Sequence, residues 1–303
     1  MRPTRFLAVL VLLGATASAA LAQPGVRALR NVEYARVDGN RSLYLDLYLP
    51  EKAAAPTPLI VWIHGGGWVG GNKNNCPPLA GVSKGCAAAS IEYRFADVAP
   101  FPAQIHDCKG AIRFLRANAA KYNLDPNRIG AWGASAGGHL VALLGTGAAV
   151  QSLEGNVGGN LEYSSRVQAV CDYFGPADLM PLTVPGVSPG AAAVVAKLLG
   201  GPPAEKKDLA ALASPVTHVT KDAPPFLIMH GDKDTLVPLS QSQTLHDALK
   251  KAGVDSTLKV IAGAGHGFAS REITATVEAF FAKHLAAPAA ASRPAATSRP
   301  AGS

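Results

Sequence analysis

The sequence predicts an α/β fold, with a mostly parallel, twisted sheet flanked by helices and carrying a small cap insertion. Three observations lead there. Short apolar runs alternate with longer stretches of helical period. Most of those runs are continuous, as strands covered on both faces must be. Two irregular stretches, Gly145 to Arg166 and Pro176 to Pro225, fall where long insertions tend to build lids or binding loops, and the second reads as the cap.

The first clear strand, Arg41 to Pro50, puts Leu43, Leu45, Leu47 and Leu49 on one face and Tyr44, Asp46 and Tyr48 on the other. That period of two predicts a half-buried antiparallel strand at the sheet edge. Leu59 to Ile63 is continuously apolar, and Ala87 to Tyr93, Arg128 to Trp132, Val167 to Phe174, Phe226 to Met229 and Thr257 to Ile261 are similar. From Pro102 to Lys121, Ile105, Cys108, Ile112, Leu115 and Ala119 form one helical stripe, with Lys109, Arg113 and Arg116 outside it. Further helices are expected after Ser135, over Leu239 to Ala252 and over Arg271 to Leu285.

The two ends differ from the middle. Residues 1–22 carry Arg2 and Arg5, an apolar run from Phe6 to Leu13 and the close Ala20-Leu21-Ala22, the pattern of a cleaved export signal. The apolar run is shorter than the roughly 20 residues that span a bilayer, so no stable membrane anchor is expected after cleavage, and the mature chain is expected to be secreted or periplasmic. Residues 286–303 are almost all Ala, Pro, Ser and Arg, a composition that cannot bury enough apolar surface to order itself. Between them, residues 23–285 suffice for one α/β domain with a sizeable core.

The formal charge is +7; without Arg2 and Arg5, 26 basic residues face 21 acidic ones. They are scattered, without a basic stripe interleaved with aromatics, so no nucleic-acid partner is implied. Of the four cysteines, Cys108 lies on an apolar helix face and Cys171 in an apolar strand, as buried free thiols do. Cys76 and Cys86 lie close enough in sequence for a disulfide across a loop, and that pairing stays open. No CxxC or His/Cys cluster suggests a metal.

The chemistry starts at Gly133-Ala134-Ser135-Ala136-Gly137, a G-x-S-x-G run between a strand and a helix. A serine at so sharp a turn needs an unusual backbone, and residues two before and two after it lie against neighbouring main chain, where only glycine fits. The turn also sets the Ser135 hydroxyl at a helix N-terminus, which favours developing negative charge. His64-Gly65-Gly66-Gly67-Trp68 follows a buried strand, and its glycines free the N–H groups of Gly66 and Gly67 to join that of Ala136 in an oxyanion hole. His64 is expected to order this loop; Trp68 either lines an acyl pocket or packs beneath the loop.

An acid and a histidine should follow the serine in that order. The run His230-Gly231-Asp232-Lys233-Asp234-Thr235-Leu236-Val237-Pro238 ends one strand, and Gly265-His266-Gly267-Phe268 ends the next. Both sit at the carboxyl ends of strands, where open α/β sheets place ligands. His266 is the expected base. Of the two aspartates, Asp234 in D-x-x-V-P is chosen as its partner, with Asp232 a turn residue. Arg94 is expected to pair with Asp107 structurally.

Together, His64 to Trp68, Glu92-Tyr93-Arg94, Phe101-Pro102-Ala103, Arg113 to Lys121, Trp132 to His139 and Phe174 to Leu179 resemble one branch of the α/β-hydrolases. The chain is similar to the BD-FAE-like esterases, named for a bifunctional feruloyl and acetyl-xylan esterase, near the hormone-sensitive-lipase-like carboxylesterases. The resemblance covers roughly Leu29 to Leu285 and is far more specific for fold and machinery than for substrate. It implies acyl-ester hydrolysis without a cofactor, with acetyl or feruloyl esters of plant polysaccharide as a plausible substrate. Gly85-Cys86 departs from relatives that carry an aromatic after the glycine, which bears on packing. Peptidase or lactonase activity on the same scaffold is the enzymatic alternative, and a non-catalytic binding protein is the alternative of another class.

Overall fold

The computed structural model describes residues 24–180, 182 and 189–287. The expected leader lies outside the described residues, as does the tail from 288 onward. Eight strands form one sheet: β1 (Val26–Val37), β2 (Arg41–Pro50), β3 (Thr57–Ile63), β4 (Ala87–Ile91), β5 (Leu124–Ala134), β6 (Ala169–Tyr173), β7 (Phe226–Gly231) and β8 (Ser256–Ile261). Their order is β1-β2-β4-β3-β5-β6-β7-β8, with β2 antiparallel to both its neighbours and every pair from β4 to β8 parallel.

The helices are α1 (Ala103–Ala117), α2 (Ala119–Tyr122), α3 (Ala136–Thr146), α4 (Pro189–Leu199), α5 (Lys207–Leu212), α6 (Leu239–Lys251) and α7 (Arg271–His284). Continuous apolar strands serve two cores at once. Leu59, Val61 and Ile63 point into a core shared with α1, α3 and α6. Ile60 and Trp62 point the other way, against Trp132, Tyr173 and Phe281 of α7. Side chains alternate across a strand, so a run apolar at every position fits only between two covering layers.

Two expectations are corrected. The strand Arg41–Pro50 is antiparallel but not the edge, because β1 pairs along its outer side and Asp46 and Tyr48 are buried. β1 escapes a reading by periodicity because its register shifts twice, at Leu29/Val32 and Glu33/Ala35, so its apolar residues keep no fixed face. The long helix breaks at Asn118, which ends α1 and opens α2.

Lys109 and Arg113, outside the apolar stripe of α1, nonetheless lie within the protein, each with a fully buried side chain. The stretch 145–166 covers them. The Lys109 ammonium donates to the Gly147 carbonyl at 3.0 Å, and Arg113 donates to the carbonyls of Val157 and Gly159 at 2.9 and 3.1 Å. Glu154 accepts from both cations. This loop, rich in glycine and asparagine, therefore caps the polar edge of α1 and is no lid. All four cysteines are free, so Cys76 and Cys86 do not pair.

Candidate active site

Strands β3, β5, β7 and β8 all end on the same side of the sheet, and each releases a segment of the site there. Ser135 follows β5 with φ 56° and ψ −121°, a left-handed conformation that side chains rarely adopt. Its N–H donates to the Tyr173 carbonyl at 2.8 Å, which fixes the turn to β6. A Cβ on Gly133 would run into the carbonyl of Gly137, and one on Gly137 into the carbonyl of Ile63. Both glycines are thus required by close backbone approach. Every residue of α3 is buried, so the helix that starts at Ala136 is anchored along its whole length.

Residues 131 positions apart meet here. The Ser135 hydroxyl lies 2.8 Å from His266 Nε2, and His266 Nδ1 lies 2.6 Å from Asp234 Oδ2. The second carboxylate oxygen, Oδ1, accepts the N–H groups of Leu236 and Val237 at 2.9 and 3.0 Å. Burial works against the ionised form of Asp234, but hydrogen bonds from His230, His266 and Val237 outweigh it and hold the carboxyl well below the usual carboxylate range. His266 Nδ1–H thus faces a carboxylate and Nε2 is left to accept from Ser135. Asp232 turns away and accepts the Gly263 N–H at 2.7 Å, as a turn residue does.

Gly66, Gly67 and Ala136 line the same pocket as Ser135 and His266. Gly66 has φ +119°, and a Cβ there would run into the Gly70 carbonyl. The loop is braced from behind: His64 donates from Nδ1 to the Gly65 carbonyl at 2.8 Å, and its ring stacks on Tyr93 at 4.5 Å. Burial keeps His64 below its ordinary pKa, so it stands as a neutral brace. Trp68 does both things open to it. It lines the pocket, and beneath the loop its indole N–H donates to His139.

The pocket has a volume of about 450 Å³, and its wall beyond Ser135 and His266 is apolar. Pro176, Leu182, Ala191, Val194 and Val195 come from the segment expected to form the cap, with α4 as its principal wall, and Leu236 and Val237 close the other side. Three neighbours carried no role in the sequence reading. Phe174 packs its ring 4.6 Å from that of His266. His139, one turn into α3, donates from Nε2 to the Ala213 carbonyl at 2.6 Å. His230 reaches Asp234. The spacing of His139 from Ser135 was visible in the sequence, but nothing there showed what its ring would meet.

Arg94 holds Asp107 through several hydrogen bonds, the shortest 2.7 Å, away from the pocket-lining residues. Among the described residues, no group of three or more His, Cys, Asp or Glu side chains converges as a metal site requires.

Comparison with known proteins places the chain among esterases of the same fold. The chain is 33% identical over 221 residues to Esterase LipC of Mycobacterium tuberculosis, covering 70% of this chain and 53% of that one. The chain spans about half the length of the curated relatives it matches first. Among solved structures, it superposes on a truncated carbohydrate esterase from gut microbiota with a TM-score of 0.76 and 36% identity, over 86% of this chain and 96% of that one. Esterase 2 of Thermogutta terrifontis phosphonylated by sarin gives a TM-score of 0.72 at 27% identity, over 86% and 95%. The α/β-hydrolase esterases are thus its structural neighbours, and with the BD-FAE family model matching residues 45–249, the chain belongs to the BD-FAE family.

Proposed function

We propose that the chain is a serine carboxylesterase that hydrolyses acyl esters through an acyl-enzyme. The observation that carries this reading is the unbroken line Ser135–His266–Asp234 at the mouth of an apolar pocket. His266 Nε2 takes the Ser135 proton as the oxygen attacks the ester carbonyl carbon. The N–H groups of Gly66, Gly67 and Ala136 receive the resulting oxyanion. As the tetrahedral species collapses, the C–O bond to the alcohol breaks and His266 returns the proton to the leaving oxygen. Water then repeats the sequence on the acyl-serine, releasing the acid and restoring Ser135. These steps need neither metal nor cofactor.

The acyl group occupies the apolar pocket, and the alcohol lies toward solvent. An acylated plant polysaccharide, carrying acetyl or feruloyl groups, is the proposed natural substrate. Membership of the BD-FAE family and the likeness to a carbohydrate esterase support it. Residues 1–22, read as an export signal, fit a polymer that cannot enter the cell.

Acetate release from acetylated xylan, with Ser135→Ala as the blank, tests this reading. Release by the wild type alone supports both serine mechanism and polymer. Release by neither protein removes xylan as substrate, and equal release by both removes the serine mechanism.

A further inference from the structure

His230 reaches the triad, and the mechanism above leaves it unused. It lies in β7, four residues before Asp234, with its side chain fully buried. Its Nε2 faces two atoms that can only accept, the Val237 carbonyl at 2.8 Å and Asp234 Oδ2 at 3.2 Å. A proton must therefore sit on Nε2. Nδ1 of the neutral ring is then an acceptor, and the group 2.7 Å away is the hydroxyl of Ser242, itself buried on α6. The surroundings select one tautomer.

The same atoms complete Asp234. A carboxylate offers about four lone-pair directions. Leu236 and Val237 N–H fill the two on Oδ1, and His266 Nδ1–H fills one on Oδ2. His230 Nε2–H, shared with the Val237 carbonyl, stands 3.2 Å from the remaining one. We infer that His230 is a positioning residue for the triad: held as the Nε2–H tautomer by the two acceptors at Nε2 and oriented through Nδ1 by Ser242, it fixes the rotation of the Asp234 carboxylate against His266. This rests on the reading of Ser135, His266 and Asp234 as a working triad.

Two consequences follow from removing that donor. The carboxylate gains freedom to turn about its Cβ–Cγ bond, which loosens the His266 ring. The charge on Oδ2, no longer shared with a second donor, holds the imidazolium of His266 more tightly, so the base titrates at higher pH. The titratable groups that face His230 are Asp234 on its own loop, Asp172 from the adjacent β6 and, across Asp234, His266. From α6 the facing group is the uncharged Ser242, and the ring of Phe174 lies 6.3 Å away.

The test compares wild type, His230→Leu, Ser242→Ala and His230→Gln in kcat and KM for p-nitrophenyl butyrate across pH, with Ser135→Ala as the blank. The low-field N–H proton resonance of His266 is recorded for each. His230→Leu is expected to lower kcat by up to about 100-fold, the order of loss from a misplacement of about 1 Å, with KM little changed, and Ser242→Ala by less because the Nε2–H donor remains. The acid limb of the kcat/KM profile moves to higher pH, and the low-field resonance shifts or broadens. Gln presents an amide N–H near the place of Nε2–H and recovers most of the loss. Repeating the profiles in an Asp172→Asn background keeps the neighbouring carboxyl out of the acid limb.

A folded His230→Leu protein with wild-type kcat, acid limb and low-field resonance overturns the inference and leaves His230 as core filling. Where the Leu variant does not fold, His230→Phe, a ring without a donor, takes its place, and a folded Phe variant unchanged in all three readouts overturns it equally. A wild type with no turnover above the Ser135→Ala blank overturns the triad reading itself, which is distinguishable because the blank and the wild type then coincide.

Discussion

The indole N–H of Trp68 donates to Nδ1 of His139 at 3.2 Å, so the glycine loop is pinned to the helix that begins beside Ser135. His139 Nε2–H donates onward to the Ala213 carbonyl, which ties the segment after α5 to the same ring. One neutral imidazole thus joins three pieces of chain that meet around the pocket. Burial pushes its pKa down to about 4.

That neutrality has a pH signature. An unfolded histidine titrates near 6.5. Between pH 4 and 6.5 the unfolded chain binds a proton at His139 that the native chain does not, so stability rises with pH through that window and is full above it. Asp172 works in the opposite sense. Burial pushes its carboxyl up to about 6, so from about 3.9 to 6 the native chain keeps a proton that the unfolded chain has released, and stability falls as pH rises. The two slopes oppose each other. Asp172→Asn is expected to expose the His139 slope, at most about 1.4 kcal/mol per pH unit, and to exceed wild-type stability at pH 7. Urea unfolding at pH 4 to 8 checks this; parallel curves for both proteins would count against it.

Gly66→Ala is expected to cost about 100-fold or more in kcat with a small change in KM, because the displaced loop mispositions oxyanion donors. Its Cβ has no room beside the Gly70 carbonyl at φ +119°. Steady-state kinetics on an aryl ester, with circular dichroism to confirm folding, decides it. A wild-type kcat would remove Gly66 and Gly67 from the site.

How far such a site can be read from sequence depends on the range of the interactions. The Ser135 turn, the glycine loop and the two strand-end loops were legible because each requirement is local: a glycine at a close approach, a positive φ, a loop at a strand's carboxyl end. β3 and β5 were legible because burial on both faces leaves a continuous apolar run. The burial of Lys109 and Arg113 was not legible because a helical stripe shows which face is apolar, not what covers the other one. Their cover is Glu154, more than 40 residues later. β1 and the tautomer of His230 depend likewise on partners distant in sequence.

Glu154 pairs with two buried cations and also accepts from Ser165 at 2.8 Å. Glu154→Gln is therefore expected to destabilise the protein by about 3–5 kcal/mol, the cost of leaving buried charge uncompensated. Adding Lys109→Met should recover part of it. Denaturant midpoints measure both, and an unchanged midpoint in the single variant would show that the ion pairs contribute nothing.

Val194 of α4 lines the pocket opposite the glycine loop: its Cγ1 lies 3.3 Å from where a Cβ on Gly67 would stand. Val194→Phe is expected to lower kcat/KM for hexanoyl relative to acetyl esters by roughly tenfold, and Val194→Ala to shift the preference toward longer chains. A chain-length series of p-nitrophenyl esters reads this directly. An unshifted preference in both variants would place the acyl group elsewhere.

Ser135, as a nucleophile held by His266 and Asp234, should react with a fluorophosphonate, and mass spectrometry of the digested protein locates the adduct. One adduct is expected, on the peptide carrying Ser135, formed in proportion to loss of ester hydrolysis and absent in Ser135→Ala. Full occupancy with hydrolysis retained, or loss of activity with the adduct on another residue, would contradict it.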